Sequence, residues 1–321
     1  MDEMVRPRGA WHEGERAAQE RVGVAARLTD HGERVLRPLM PDQHRIFFAQ
    51  LPFIVVGSVD DDRQPFASIV LGQPGFVLSP DPTTLVVRAL PDAQDPLAAA
   101  LREGASLGLL GIELPTLRRN RMNGRVIAVG PGGFGLGVDQ SFGNCPQYIH
   151  RRDYVGFAPG ALAGPKRVEA FAGIDAEAAP LLARADTAFI ASATKERGDP
   201  SHGVDVSHRG GVPGFLGHDG EGRIILPDYR GNFYFNTLGN LVDNPRVGLT
   251  VVDFVHGDLL QLTGRAEIIW EGEALAAHPG AQRLCRIEPL YGQWLRGGFP
   301  LVTALREVSP QARAVAERPI G

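Results

Sequence analysis

The chain has 321 residues, room for two domains of ordinary size, and its 43% hydrophobic and 22% charged residues are those of a soluble globular protein. A formal net charge of −4 gives no footing to nucleic acid or an acidic membrane as partner. Two cysteines, Cys145 and Cys285, exclude a disulfide framework and suit a reducing compartment, and the charged start MDEMVRPRGAWHEGER has no signal-peptide core, so a cytoplasmic location is expected.

Residues 1–50 read as a mainly helical segment. Trp11 to Arg27 is rich in Ala, Glu, Gln and Arg, and Pro41-Asp42 opens a second helical stretch with Ile46-Phe47-Phe48 behind it. The pattern then turns β. Phe53–Val59, Ala67–Leu71, Thr84–Val87, Leu107–Leu110 and Gly124–Val129 are strand candidates, with one short helix from Pro96 to Glu103. The Gly-rich run Gly130–Gly135 closes this region and is no dinucleotide fingerprint, because no strand–turn–helix unit follows it. A linker over 151–183 contains the turn-like Gly160–Pro165 and an Ala-rich helix near Ala176–Ala185.

The second half repeats the first. Phe53, Gly72, Pro91, Gly108 and Gly124 with their neighbours are answered by Phe189, Gly211, Pro227, Gly248 and Gly264, at offsets of 136, 139, 136, 140 and 140. Five matches in one order at nearly constant spacing indicate duplication. The unit is far longer than solenoid repeats of roughly 20–50 residues, so it predicts two like domains, each a small antiparallel barrel. The boundaries are 51–150 and 184–275, with a C-terminal helical extension over 276–321.

Ile224–Thr250 is the densest stretch. Between two apolar strands it crowds Arg230, Asn232, Asn236, Thr237 and Asn240, with Thr237 and Asn240 at the start of a short helix. Free N–H groups at a helix N-terminus, with hydroxyl, amide and guanidinium donors, suit a phosphate monoester. A polar turn followed by a capped helix explains the same residues.

The second unit resembles the FMN-binding split barrels related to pyridoxamine 5′-phosphate oxidase. The residues that carry this are Ser207-His208-Arg209, Ile224–Leu226, Asn236–Asn240, Asn244-Pro245-Arg246-Val247 and Leu262–Ala266. More narrowly, the chain resembles the tandem subgroup of predicted flavin-nucleotide-binding proteins, through Trp11–Glu15, Gly72–Phe76, Phe142–Arg152 and Tyr229–Asn240. The fold implied is mainly β with peripheral helices: two tandem split β-barrels packed as an intrachain pseudo-dimer.

The resemblance further implies FMN, held between the barrels by Ser207, His208, Arg209, Gly211, Val212, Pro213, Arg230, Asn232, Asn236, Thr237 and Asn240 of the second unit. Asn144, Cys145, Gln147, Tyr148, Arg151 and Arg152 would cover the ring. His150 lies within that run and is the one histidine to watch as an acid or base. The first unit has Leu90–Leu97 where the second has its donor-rich turn, so its phosphate site is expected to be lost. Two departures stand out. The phosphate turn's usual Lys is Asn240, with Arg230 as a substitute, and the Gln and Arg that the oxidase places before its Gly-Arg turn fall at Leu259 and Gln261. The oxidase's C-terminal Trp and Arg have no clear match, which argues against pyridoxamine phosphate as substrate. The function expected is an FMN-dependent oxidoreductase acting on a small molecule, with NAD(P)H or a reductase as electron donor, as a pseudo-symmetric monomer or a homodimer. A non-enzymatic flavin or haem carrier on the same barrel is the alternative.

Overall fold

A computed structural model describes residues 10–158, 160, 162, 166–195 and 201–318. Part of the turn expected at Gly160–Pro165 and the first nine residues of the helical segment lie outside that set. Three helices come first: α1 Glu13–Arg21, α2 Ala25–Val35 and α3 Asp42–Ala49. The helix expected from Trp11 to Arg27 is thus broken, because Gly23 takes φ +72 just after α1. The first half continues with β1 Phe53–Val59, β2 Pro65–Leu71, β3 Val77–Leu78, β4 Thr84–Val87, α4 Pro96–Ala100, β5 Ser106–Glu113, β6 Arg118–Gly130 and β7 Gly133–Asn144. The segment β8 Arg151–Phe157, β9 Arg167–Ala172 and α5 Ala178–Arg184 leads on. The second half is β10 Thr187–Ala193, β11 Val204–Gly210, β12 Gly217–His218, β13 Ile224–Tyr229, α6 Asn236–Asp243, β14 Arg246–Asp253, β15 Asp258–Ile269, α7 Glu273–Ala276 and β16 Ala281–Arg296. Last come β17 Leu301–Glu307 and α8 Pro310–Ala316.

The two halves have one topology. Their sheets run β2-β1-β5-β6-β7-β4-β3 and β11-β10-β14-β15-β16-β13-β12, which correspond strand for strand. These are two tandem split barrels in one chain. The register refines the repeat. Gly57 pairs with Gly108 and Ala191 with Gly248, so Phe53 corresponds to Thr187 and not to Phe189. The sequence match there had slipped by two residues, which preserves the facing of every side chain and so the apolar pattern.

Both faces of the central strands are covered, which is why β1 reads as an unbroken apolar run. Ile54 and Val56 enter the first barrel's core with Phe47, Leu85 and Leu136. Phe53 and Val55 face the other way, into a core shared with Phe189, Ala191 and Val206 of the second half. Ile190, Leu249 and Leu260 build the second barrel's own core. The seam is pseudo-symmetric down to its close approaches. A Cβ on Gly108 would collide with the backbone of Val204, and one on its counterpart Gly248 with the backbone of Pro65.

The C-terminal region corrects an expectation. The described part of 276–321 is not a helical extension: β16 lies inside the second sheet between β15 and β13, and β17 pairs with β8. Arg283, Arg286, Glu288 and Pro289 break the apolar alternation of β16, and the register shifts where Pro289 meets Gly264. A strand that bulges at a proline gives little period-2 signal. The second barrel therefore runs past 275 to Arg296. The 151–183 segment likewise holds strands: β9 extends the second sheet along β16.

Candidate functional site

The seam brings β6 of the first half against β11 of the second. Alternation along β6 puts Arg119, Arg121 and Asn123 on one face. Arg119 Nη1 lies 3.3 Å from His208 Nδ1, Arg121 Nη2 donates to Ser207 Oγ at 2.5 Å, and Asn123 Nδ2 donates to Asp205 Oδ1 at 2.8 Å. Two adjoining cavities open along this line.

The first cavity is lined by Arg121, Ser207, Arg209, Asp228, Asn232, Asn236, Thr237 and Arg283, among others. Three guanidiniums there face one carboxylate. Asp228 pairs with Arg283 Nε at 3.0 Å and more loosely with Arg209 at 3.6 Å. Arg283 is only 2% exposed, and its Nη1 has no hydrogen-bond partner among the described residues. Arg121 Nε is likewise buried without one. Burial lowers the Arg121 pKa to about 10, with Asp205 pulling the other way. The wall opposite is the start of α6. Its N-cap residue, Phe235, sits at φ 64 with no side-chain cap, so the first-turn N–H groups beside Asn236 and Thr237 have no partner within the helix. Unpaired guanidinium atoms, two hydroxyls and an uncapped helix end form a cradle for an anion.

The N-terminal helix braces that cradle. A Cβ on Gly14 would collide with Gly239 O, so α1 and α6 touch backbone to backbone. Glu15 Oε1 accepts from Asn236 Nδ2 at 2.6 Å, Asn236 Oδ1 accepts from Arg121 Nη1 at 2.6 Å, and Ser207 Oγ lies 2.7 Å from Thr237 Oγ1. Desolvation pushes the Glu15 carboxyl well above its ordinary range.

The second cavity is lined by Arg119, Asn144, Cys145, Gln147, Tyr148, His208 and Gly210, among others, and it shares Arg121, Arg209, Tyr229, Gly231 and Asn232 with the first. Tyr148 and Tyr229 stack at its edge with ring centroids 5.3 Å apart. Five described non-glycine residues have a left-handed backbone, and Tyr148, Phe233 and Phe235 of this cleft are three of them. Such strain persists where the surroundings fix it, often at ligand sites.

Of the expected site residues, the structure brings Ser207, Arg209, Asn232, Asn236 and Thr237 to the first cavity. It brings Asn144, Cys145, Gln147, Tyr148 and His208 to the second. The others lie elsewhere. Asn240 sits beneath the cradle, with Nδ2 donating to Ser192 Oγ and Asp205 Oδ2. Arg230 is exposed and offers only its carbonyl, to Tyr148 OH. Arg151 is 3.9 Å from Glu307, and Arg152 is bound by Asp186 at 2.5 Å and lies over the Phe254 ring. His150 has both ring nitrogens engaged, by Gly211 O and by the Ser309 N–H. Val212 O turns the Gly211–Phe215 loop, of which Pro213 is part, and none of Gly211, Val212 and Pro213 lines either cavity.

Sequence reasoning passed over Arg119, Arg121, Arg283 and Glu15. Arg118-Arg119-Asn120-Arg121 is a basic cluster in the sequence, and the signal it carries is the spacing of two between Arg119 and Arg121 on a strand. These are also the first-half counterparts of Leu259 and Gln261, by the offset of 140 that relates Gly124 to Gly264. The strand that reaches across the seam to this site is therefore the first half's copy.

Residues 174–295 match the family described as pyridoxamine 5′-phosphate oxidase. Solved structures similar to this chain include HupZ of Group A Streptococcus, at 18% identity over 36% of this chain and 89% of that one, with a TM-score of 0.29. An FAD-binding protein from Mesorhizobium loti matches at 15% identity over 40% of this chain and 97% of its own, TM-score 0.25. An F420 reductase matches at 17% identity over 35% and 93%, TM-score 0.25. No curated protein matches the chain. The family match thus covers the second barrel and the segment just before it, about two fifths of the chain.

Proposed function

We infer that the cleft at the seam binds a phosphorylated flavin, FMN, and that the protein is a flavin-dependent oxidoreductase. The observation that carries this is the first cavity: Arg121, Arg209 and Arg283 against the single carboxylate of Asp228, beside the uncapped start of α6. Three positive charges against one negative in the lining leave an excess that suits a phosphate dianion. The second cavity, floored by Arg119 and His208 and edged by two tyrosines, offers the ring a partly apolar, partly hydrogen-bonding place. When bound, the flavin would supply the electron chemistry, and the chain's own residues would anchor its phosphate, orient the ring and keep water from it. Arg121 and Ser207 come from opposite halves, so the phosphate anchor exists only when the seam is formed.

The purified protein is expected to be yellow and to release FMN on denaturation, identified by chromatography of the extract. Release of FAD, F420 or no flavin, or a Soret band in place of flavin bands, would overturn this reading.

A further inference from the structure

Among the described residues Arg119 has no acid to answer it. Its Nε donates to Cys145 O at 2.6 Å and its Nη1 points at His208 Nδ1. Arg121 repels it most and Arg209 adds to this, with Cys145 pulling the other way between them. Burial and that repulsion lower its pKa to about 9, which leaves it charged at neutral pH. A guanidinium desolvated among other guanidiniums is unfavourable unless an anion joins it. His208 adds a second observation. It is 3% exposed and lines the cavity, and among the described residues its Nε2 has no partner. Since Nδ1 faces a guanidinium N–H, it must accept, and the neutral ring then carries its proton on Nε2. Burial and the nearby arginines hold His208 neutral. The lining of the cavity thus holds a guanidinium and an unused imidazole N–H, apart from the phosphate cradle.

We propose that Arg119 and His208 form a second anion subsite, which takes a delocalised monoanion whose two acceptor atoms lie side by side. Two sources share that chemistry. One is the carboxylate of a small-molecule substrate. The other is the pyrimidine edge of the flavin itself, which is left negatively charged when the ring takes up two electrons and one proton. The second source rests on the flavin reading and the first does not.

The test compares the whole wild-type chain with Arg119→Met and Arg119→Lys. Benzoate, a flat monocarboxylate, is titrated by calorimetry into protein without flavin and into protein loaded with FMN. The two-electron midpoint potential of the bound FMN is measured separately. Benzoate should bind the flavin-free wild type and lose at least tenfold in Arg119→Met, with Arg119→Lys between. If FMN displaces benzoate, and the potential in Arg119→Met drops by about 30 mV or more, equivalent to that tenfold, the anion is the ring edge. Benzoate that still binds beside FMN identifies a carboxylate substrate. A protein that binds benzoate through Arg119 but takes no flavin keeps the subsite and sinks the flavin reading. Wild-type protein that binds no benzoate and holds FMN at the free flavin's potential would overturn the subsite, without recourse to any variant. So would changes below twofold in both measurements for Arg119→Met.

Discussion

At the scale of single residues, the cleft depends on charges that sequence spacing located only in part. Thr237, Asn232 and Arg209 were legible because they sit in one stretch whose turn and helix chemistry can be read locally. Arg283 was not, since it reaches the cradle only through strand pairing with Asp228. Arg230 was the nearest cation in sequence, yet it points to solvent, while the distant Arg283 and Arg121 face the cavity. Arg283→Met and Arg121→Met should each weaken FMN binding by on the order of tenfold to a hundredfold, the loss of a charge-assisted hydrogen bond of roughly 1.5–3 kcal/mol. Arg230→Met should change it by less than about threefold, well within 1 kcal/mol. Fluorescence titration of the three variants decides between the two placements of the charge.

His208 also makes stability pH-dependent. Its folded pKa lies well below the ordinary 6.5, so the unfolded chain takes up a proton there that the native state refuses. Stability contributed by the neutral ring is present above 6.5 and is lost as pH falls toward the folded value. His12, also lowered by burial, acts in the same direction. Denaturant unfolding of the wild type should therefore show a stability loss between about pH 6.5 and pH 5 that is smaller in His208→Asn. Equal slopes in both proteins would mean that His208 is not held neutral.

At the scale of elements, α4 and α6 show how the two halves diverged. Register makes Ser68 the counterpart of Ser207 and Gln261 the counterpart of Arg121. In the second half these surround an open cavity at the start of α6. In the first half the equivalent place holds the carboxylate of Asp95, the N-cap of α4. Its Oδ1 accepts from Ser68 Oγ at 2.5 Å and from the Leu97 N–H at 2.9 Å, and Oδ2 accepts from Gln261 Nε2 at 2.9 Å. The chain's own anion fills the place that an external one would take. Sequence reading expected the loss from Leu90–Leu97 but gave no cause beyond the missing donors. The cause is that Asp95 is a built-in occupant. Asp95→Ala should cost about 0.5–2 kcal/mol of stability through the lost cap, measured by denaturant unfolding. A neutral effect would mean that the carboxylate is not held as described.

At the scale of the molecule, the site is a property of the seam. The repeat was visible because Gly108 and Gly248 must stay small where strands of opposite halves cross, and small residues at fixed spacing survive as a pattern. What was not visible is which half lends which strand, because partners across the seam lie far apart in sequence, 86 and 115 residues for Arg121 with Ser207 and Asn236. Gly108→Ala drives a methyl into backbone that cannot rotate away. It should destabilise the chain by about 1–3 kcal/mol and lower its melting temperature. It should weaken FMN binding as well, although Gly108 touches neither cavity. Unchanged FMN affinity in a destabilised Gly108→Ala protein would separate the site from the seam.

The central claim is one flavin per chain, anchored by the second half's cradle with the first half's β6 across it. Titration of flavin-free protein with FMN, followed by the quench of flavin fluorescence, reads this directly. The account predicts a break at one FMN per chain, lost in Arg121→Met and kept in Asp95→Asn. A break at two per chain, or a titration with no break at all, would contradict it.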